Sequence, residues 1–260
     1  SLTLGRGIPT HIINETMLNN PDEMPAIIMG ILGKTGNAPF VLAEPLEYTD
    51  FLAGLDVVQE KTDAGLKLTA IARIYKADGE FVQYRIRSFQ QEGDALPYTL
   101  LRDLFPQKEF ANKRIVLHHD GALPPNLLAA LTAWGQAISA TFYPMEIVRF
   151  GAPRIYAIEN GIVQPPWGSA FKFSDMEALL VSSIPKDNIT PQPLQIRTVG
   201  TNPLPIEQAL RGVLVWTLLA YNAEKLPKLP VTVMNATELE YWLQRGGKFG
   251  ADEGHVPFWL

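Results

Sequence analysis

The chain has 260 residues, 47% of them hydrophobic and 19% charged, which is enough to bury a substantial core as one large domain and too apolar for a chain disordered throughout. Its 22 basic and 27 acidic residues leave a formal charge of -5, which argues against a uniformly basic protein and leaves any nucleic-acid contact to a local groove. The absence of cysteine excludes disulfides, thiolate nucleophiles and cysteine metal sites, and it fits a reducing compartment. No apolar run approaches the roughly 20 residues needed to cross a bilayer, and the first residues lack the basic and apolar parts of an export signal. A soluble, cytoplasmic protein without a membrane partner is expected. The opening SLTLGRG is unlike a natural start and reads as the edge of a longer chain.

In chain order, a helix is predicted to begin at the acidic turn of Asp22 and Glu23, run through apolar residues 26–32 and end near Lys34, where Gly33 and Gly36 break it. Strands are predicted at 51–58, 66–75 and 81–89. The last two are joined by ADGE (77–80), and Asp-Gly between alternating runs is a hairpin signal. A helix over 97–104 precedes RIVLHHDG (114–121), an apolar run with a basic start and a glycine stop that reads as a buried strand. Pro124 and Pro125 open a further helix, continued by 127–134. Beyond it, 145–150, 154–158, 178–182 and 194–199 read as strands, 206–221 as the longest helix, 231–234 as a short buried strand and 237–244 as a final helix. Three antiparallel strands followed by βα units is the order of an RNase H-like fold, an α/β architecture with a mixed sheet flanked by helices.

Most familiar catalytic motifs fail on spacing. Gly33-Lys34-Thr35 ends like a phosphate-binding loop, but the earlier glycine such a loop needs falls at Ile28. Gly168-Ser169 lacks the spacing of a nucleophile elbow. His118 and His119 are adjacent on a strand and point to opposite faces, so they do not share one metal with Asp120. Two carboxylates survive: Asp120, at the carboxyl end of its strand, and Asp56, the only acid in FLAGLDVV (51–58). Open α/β sheets place ligands at the carboxyl ends of their strands. Two-metal phosphodiester hydrolysis needs oxygen ligands on rigid elements to clamp two cations about 4 Å apart. The alternative is a local role, with Asp56 accepting from a backbone amide and Asp120 opening an Asp-Gly turn.

HHDG (118–121) resembles the H-R-D-G motif of Argonaute PIWI domains, with His119 in the usual place of arginine. MEIVRFGAPRIY (145–156), ALLVSS (178–183), TPQPLQI (190–196), the long helix to Asn222 and LPVTV (229–233) are similar to the family in the same order, and the chain stops on the short apolar VPFWL (256–260). Upstream, GIPTH (7–11) looks like the G-x-P-x-Q segment of the MID domain, and ILGKTG (31–36) resembles the K-L-G-G segment that follows. The set fits a prokaryotic Argonaute, with 1–46 as the C-terminal part of a MID-like region and 47–260 as the PIWI domain.

The resemblance implies a guide-nucleic-acid-binding module that directs recognition of a complementary DNA or RNA target, in silencing or prokaryotic defence. It matches Lys34 and His11 to the pocket for the guide 5′ phosphate, with His11 in place of glutamine. The terminal carboxylate of Leu260 approaches the same pocket through Mg²⁺ or Mn²⁺, since a cation is needed to reverse the repulsion between carboxylate and phosphate. Lys34 as a solvated helix-end lysine is the alternative. For cleavage, the resemblance matches Asp56, Asp94, Asp120 and Thr237 to the four catalytic positions. Asp94 replaces a mobile glutamate, with Glu92 as a substitute, and Thr237 is a poor magnesium ligand, so weak or absent slicing is expected. The alternative is an active two-metal endonuclease using Asp56, Asp94 or Glu92, and Asp120.

Lys61, Lys67, Arg85, Arg87, Arg149, Arg154, Lys172 and Arg197 are candidates for nucleic-acid backbone contacts, Arg85 and Arg87 as a stripe on one strand face. Solvated edge charges are the plainer reading. The missing N-terminal, PAZ and early MID regions are expected either on the same longer chain or on a second chain, as in a split Argonaute or the structural partner of an effector.

Overall fold

The computed structural model describes residues 8, 10–62, 65–90, 98–184, 190–220, 228–234 and 252–257. Two helices open it, α1 (Glu15–Leu18) and α2 (Met24–Lys34). Asn14 caps α1 by accepting from the Met17 amide at 2.8 Å, and Pro25 sits in the first turn of α2, where its missing N–H costs nothing. Then come β1 (Phe51–Thr62), β2 (Gly65–Lys76) and β3 (Phe81–Gln90), a continuous antiparallel meander. Helices α3 (Tyr98–Leu104) and α4 (Gln107–Phe110) lead to β4 (Arg114–Asp120), α5 (Pro125–Ile138) and β5 (Thr141–Val148). A small ribbon of β6 (Ala157–Ile158) and β7 (Ile162–Val163) precedes β8 (Ala170–Ser174), β9 (Glu177–Leu180) and β10 (Leu194–Thr198). The described residues end with α6 (Ile206–Thr217), α7 (Val231–Met234) and β11 (Glu253–Gly254).

Nine strands form one sheet in the order β11-β3-β2-β1-β4-β5-β10-β9-β8. β4 lies parallel to β1 and β5 parallel to β4, whereas the other pairs are antiparallel. The expected mixed sheet of RNase H type is present. Because side chains alternate across a strand, the sheet builds two cores. Ala53, Leu55, Ala72, Ile115 and Leu117 face Leu101, Leu104, Leu127, Leu131 and Trp134 of α3 and α5. Leu52, Tyr75, Val116, Met145, Ile147 and Ile196 face Ile206, Val213 and Trp216 of α6 together with Val231 and Val233 of α7.

The second face carries polar residues at the carboxyl ends of its parallel strands. Two glycines shape that end. Gly121, at φ +79°, turns the chain immediately after Asp120 and donates its amide to the Ile147 carbonyl at 3.0 Å. Gly54 stands where a Cβ would lie 2.1 Å from the Thr232 carbonyl oxygen and 2.9 Å from Arg73 Nη2, so only a residue without a side chain lets α7 and Arg73 close over β1.

Three expectations are corrected. Residues 231–234 form a helical turn instead of a strand: the Pro230 carbonyl accepts from the amides of Val233 and Met234, both at 2.9 Å, and β-branched residues tolerate this because the turn is buried. The strand expected over 154–158 shrinks to Ala157–Ile158 in its ribbon. The strand expected over 145–150 begins earlier, at Thr141, with Pro144 just beyond the end of the β10 ladder. Strand β8 was not expected: the alternation of Phe171 and Phe173 with Lys172 and Ser174 is short, and as an edge strand it is exposed along its whole length. The helix expected over 237–244 lies outside the described residues.

Gly54→Ala is expected to lower unfolding free energy by about 1–3 kcal/mol, because the new methyl must push away either backbone of α7 or the buried Arg73. Urea denaturation checks this as a lower midpoint at unchanged slope.

Candidate functional site

The parallel register of β1 and β4 sets Gly54 opposite His118. Two residues further along each strand, on the same face by alternation, stand Asp56 and Asp120. On the other side of β1, Asp56 pairs with Ile71 and Gly54 with Arg73, so Arg73 is the diagonal neighbour of Asp56 on that face. Past the end of β5, Arg149 follows Met145 and Ile147 with the same alternation. Four strands thus aim two carboxylates and two guanidiniums at one place.

Each carboxylate is taken by one arginine. Arg73 Nη2 donates to Asp56 Oδ2, and the same nitrogen donates to the Thr232 carbonyl at 2.7 Å. The Arg73 side chain is completely buried, whereas that of Asp56 is 14% exposed. Arg149 meets Asp120 with two donors, Nε to Oδ1 at 3.0 Å and Nη2 to Oδ2, the fork geometry that suits guanidinium to carboxylate. Burial pushes the Asp120 carboxyl above its ordinary range; Arg149 opposes this and the nearby Asp56 charge adds to it. Beside them His118 is buried, its Nδ1 2.6 Å from Thr232 Oγ1, and burial pushes its pKa down to about 3. Thr232 therefore ties α7 to both β2 and β4.

Among the described residues no group of three or more histidine, aspartate or glutamate side chains is arranged to hold a metal ion. Asp56 and Asp120 alone, each already neutralised by a guanidinium, do not fit a two-metal centre. Asp94, Thr237 and Glu92, expected to contribute there, lie outside the described residues. His119 turns from the pair, its Nδ1 donating to the Gly121 carbonyl at 3.2 Å.

The second expected site is also assembled from distant residues. Lys34, in the last turn of α2, donates Nζ to the Thr10 carbonyl at 2.6 Å and lies 3.2 Å from His11 Nδ1. An ammonium has only donors, so Nδ1 is the accepting nitrogen and Nε2 carries the His11 proton. Gly30 makes room for this ring, since a Cβ there would stand 2.5 Å from His11 Cε1. The C-terminal stretch approaches the same helix end: Val256 Cγ2 lies 3.6 Å from the position of a Gly36 Cβ. Leu260 is outside the described residues.

The basic candidates are engaged with protein groups. Arg85 is buried, donating to Glu109 at 2.6 Å and to the Leu104 carbonyl at 2.9 Å, so it does not form a solvent-facing stripe with Arg87. Arg87 pairs with Glu253 at 2.8 Å, and Arg197 with Glu177 at 3.2 Å. Lys172, on the far edge strand β8, bridges Asp175 at 2.8 Å and Glu207 at 2.7 Å. Arg154 donates to the Thr190 carbonyl. Lys67 lies on β2 opposite Gln90, and the Lys61 side chain is outside the described residues. Lys228, not singled out from the sequence, reaches the Arg149 carbonyl at 3.2 Å; burial lowers its pKa and the charges of Arg149 and Arg154 add to that. Arg73 and Thr232 were missed as well. The readable signal for Arg73 was a single basic residue inside the apolar run LTAIARIY (68–75).

Set against known proteins, the chain is 28% identical to the Argonaute of Aquifex aeolicus over 267 residues, an alignment that takes in 99% of it. Along its whole length the chain is similar to one part of an Argonaute. It spans about 37% of the length of that relative. A crystal structure of Aa-Ago with externally bound siRNA superposes with a TM-score of 0.78 at 27% identity, covering 97% of this chain and 36% of that one. Clostridium butyricum Argonaute bound to a guide DNA and a 19-mer target DNA gives a TM-score of 0.82 over 99% of this chain and 36% of that one; at 19% identity the likeness is one of fold. No family model matches the chain. The mixed nine-stranded sheet is thus similar in fold to part of these Argonaute structures, and among the described residues no helix is long and apolar enough to cross a membrane.

His118 sets a pH dependence. Its folded-state pKa lies below the ordinary 6.5, so the stability it contributes is present above that value and is lost as pH falls toward 3. Unfolding free energy is expected to drop by roughly 1 kcal/mol per pH unit from this group across the window. Urea titrations at stepped pH check it: the His118→Asn slope, subtracted from that of the unaltered protein, leaves this difference.

Proposed function

We propose that this chain is the PIWI module of an Argonaute that holds a guide strand by its 5′ phosphate and recognises complementary target nucleic acid through it, with slicing weak or absent. The observation that carries the second half is the pairing of both candidate catalytic carboxylates with arginine, Asp56 with Arg73 and Asp120 with Arg149. A carboxylate already bound to a guanidinium is a poor ligand for a hard cation. Kinship to Argonautes along the whole chain supports the first half, as does the meeting of His11 and Lys34.

In this reading residues 1–46 are the C-terminal part of the MID region and 47–260 the PIWI domain. Lys34 supplies charge and His11 Nε2 a donor to the phosphate, and Mg²⁺ or Mn²⁺ joins the Leu260 carboxylate to the same group. Arg87, Arg149, Arg154 and Lys172 contribute to backbone tracking only by exchanging their present protein partners for phosphates, and Arg85 only by leaving its buried place. Guide and target, DNA or RNA, are the partners, with the N, PAZ and remaining MID parts on the same longer chain or a second one. The setting is cytoplasmic defence.

Binding of a single-stranded guide by fluorescence anisotropy is expected to favour a 5′ phosphate over a 5′ hydroxyl. Lys34→Ala should weaken the phosphorylated guide about 10-fold and leave the hydroxyl form nearly unchanged. Affinity should fall with salt at a log-log slope of about -0.7 per phosphate neutralised. Equal affinity for both guide ends would overturn the pocket. The complete guide-loaded protein, given a complementary target with Mg²⁺ or Mn²⁺, should leave it uncut; cleavage lost on Asp120→Asn would establish the active two-metal enzyme instead.

A further inference from the structure

Arg73 is unusual for a strand residue. It sits in the middle of β2 with no exposed side-chain surface, and its Nε and Nη1 have no hydrogen-bond partner. Its position is therefore set by one nitrogen, Nη2, which meets Asp56 and the Thr232 carbonyl. Gly54 leaves the space that lets it do so. Thr232 also holds His118, so the guanidinium is walled in by β1, α7 and β4 and has no open path to solvent. Arg149 covers Asp120 from the other side, at the exposed rim of the same face.

Two carboxylates and two guanidiniums sum to zero charge. A divalent cation entering between Asp56 and Asp120 would add two positive charges beside two fixed ones in a partly buried site, and it would have to displace Arg73, which cannot leave, or Arg149. We infer that Arg73 and Arg149 are the built-in counter-charge of this site: they hold Asp56 and Asp120 as a neutral brace across β2, β1, β4 and β5, and the site takes up no divalent cation. This deepens the slicing half of the proposed function, which rests on the same pairing, and it holds whether or not the chain binds a guide.

The brace and a metal centre differ in what removal of Asp56 does. In a metal centre the loss of one carboxylate relieves repulsion between acids. Here it leaves a buried cation unpaired. Thermal unfolding of the full chain is therefore run for Asp56→Leu, Arg73→Met and the double variant, and Mn²⁺ uptake by the unaltered protein is followed through the paramagnetic resonance signal of the free ion. Asp56→Leu is expected to lower Tm by roughly 10 °C, and Arg73→Met in the same molecule should restore most of the loss. Failure of Asp56→Leu to fold, with the double variant folding, supports the same conclusion. The free Mn²⁺ signal should be the same for the unaltered protein and for Asp120→Asn.

An Asp56→Leu variant as stable as the unaltered protein would overturn the brace, as would a double variant no better than the single. Mn²⁺ uptake that Asp120→Asn abolishes would overturn the exclusion of metal. Uptake that Asp120→Asn leaves intact belongs to another place on the chain and is consistent with this inference. None of these readouts involves a guide, so loss of guide binding would sink the 5′-phosphate reading and leave this inference standing, whereas Mn²⁺ at Asp120 in a guide-binding protein would sink this inference and the argument for weak slicing and leave guide binding standing.

Discussion

A buried guanidinium needs a partner, and in this chain the need of Arg73 organises the middle of the molecule. Its charge is met by Asp56, one strand away, and its Nη2 is shared with the Thr232 carbonyl. That requirement fixes Gly54, because any side chain there would collide with Thr232 and crowd Arg73. It fixes α7, which presents Thr232 by the carbonyl to β2 and by the hydroxyl to His118 on β4. Breaking one member leaves the others with unsatisfied polar groups at low dielectric, which is costlier than the net worth of any single bond.

The same arrangement sets the character of the carboxyl ends of the parallel strands. The parallel pair β1 and β4 still delivers two aspartates to one place, as the sheet requires. Both are met by positive charge within the fold. Arginine side chains supply it from β2 and from the end of β5, and the result is a rigid, neutral centre of the sheet. The pair of Lys34 and His11 is built separately, on α2 and the segment before it, so the two candidate sites share no residues. Loss of one does not entail loss of the other.

Much of this was legible in the sequence, and the exceptions have physical causes. The meander, the Asp-Gly hairpin and the strand ending at Asp120 follow from period-two patterning and turn chemistry, and the structure shows them. Residues 231–234 were misread because Val, Thr and Val have strand preferences that a buried helical turn overrides. Strand β8 was passed over because its alternation of Phe171 and Phe173 with Lys172 and Ser174 is short and no core covers either face. The pairing of Lys34 with His11 spans 23 residues and was foreshadowed in the sequence only through the family resemblance. Arg73 was the residue most open to discovery and least noticed: a lone cation in an apolar strand must have a buried partner, and Asp56 was the acid already singled out on the adjoining strand. Arg85 repeats the lesson, since its place on a buried strand face demanded an acid, which Glu109 supplies.

The central claim is that arginine, and not a metal, balances the charge of Asp56 and Asp120. Diffraction from crystals of the full chain grown with Mn²⁺, collected at the manganese absorption edge, tests it most directly. The account predicts no anomalous peak within bonding distance of either aspartate, with Arg73 on Asp56 and Arg149 on Asp120. A peak bridging the two carboxylates, with Arg149 turned away, would contradict it.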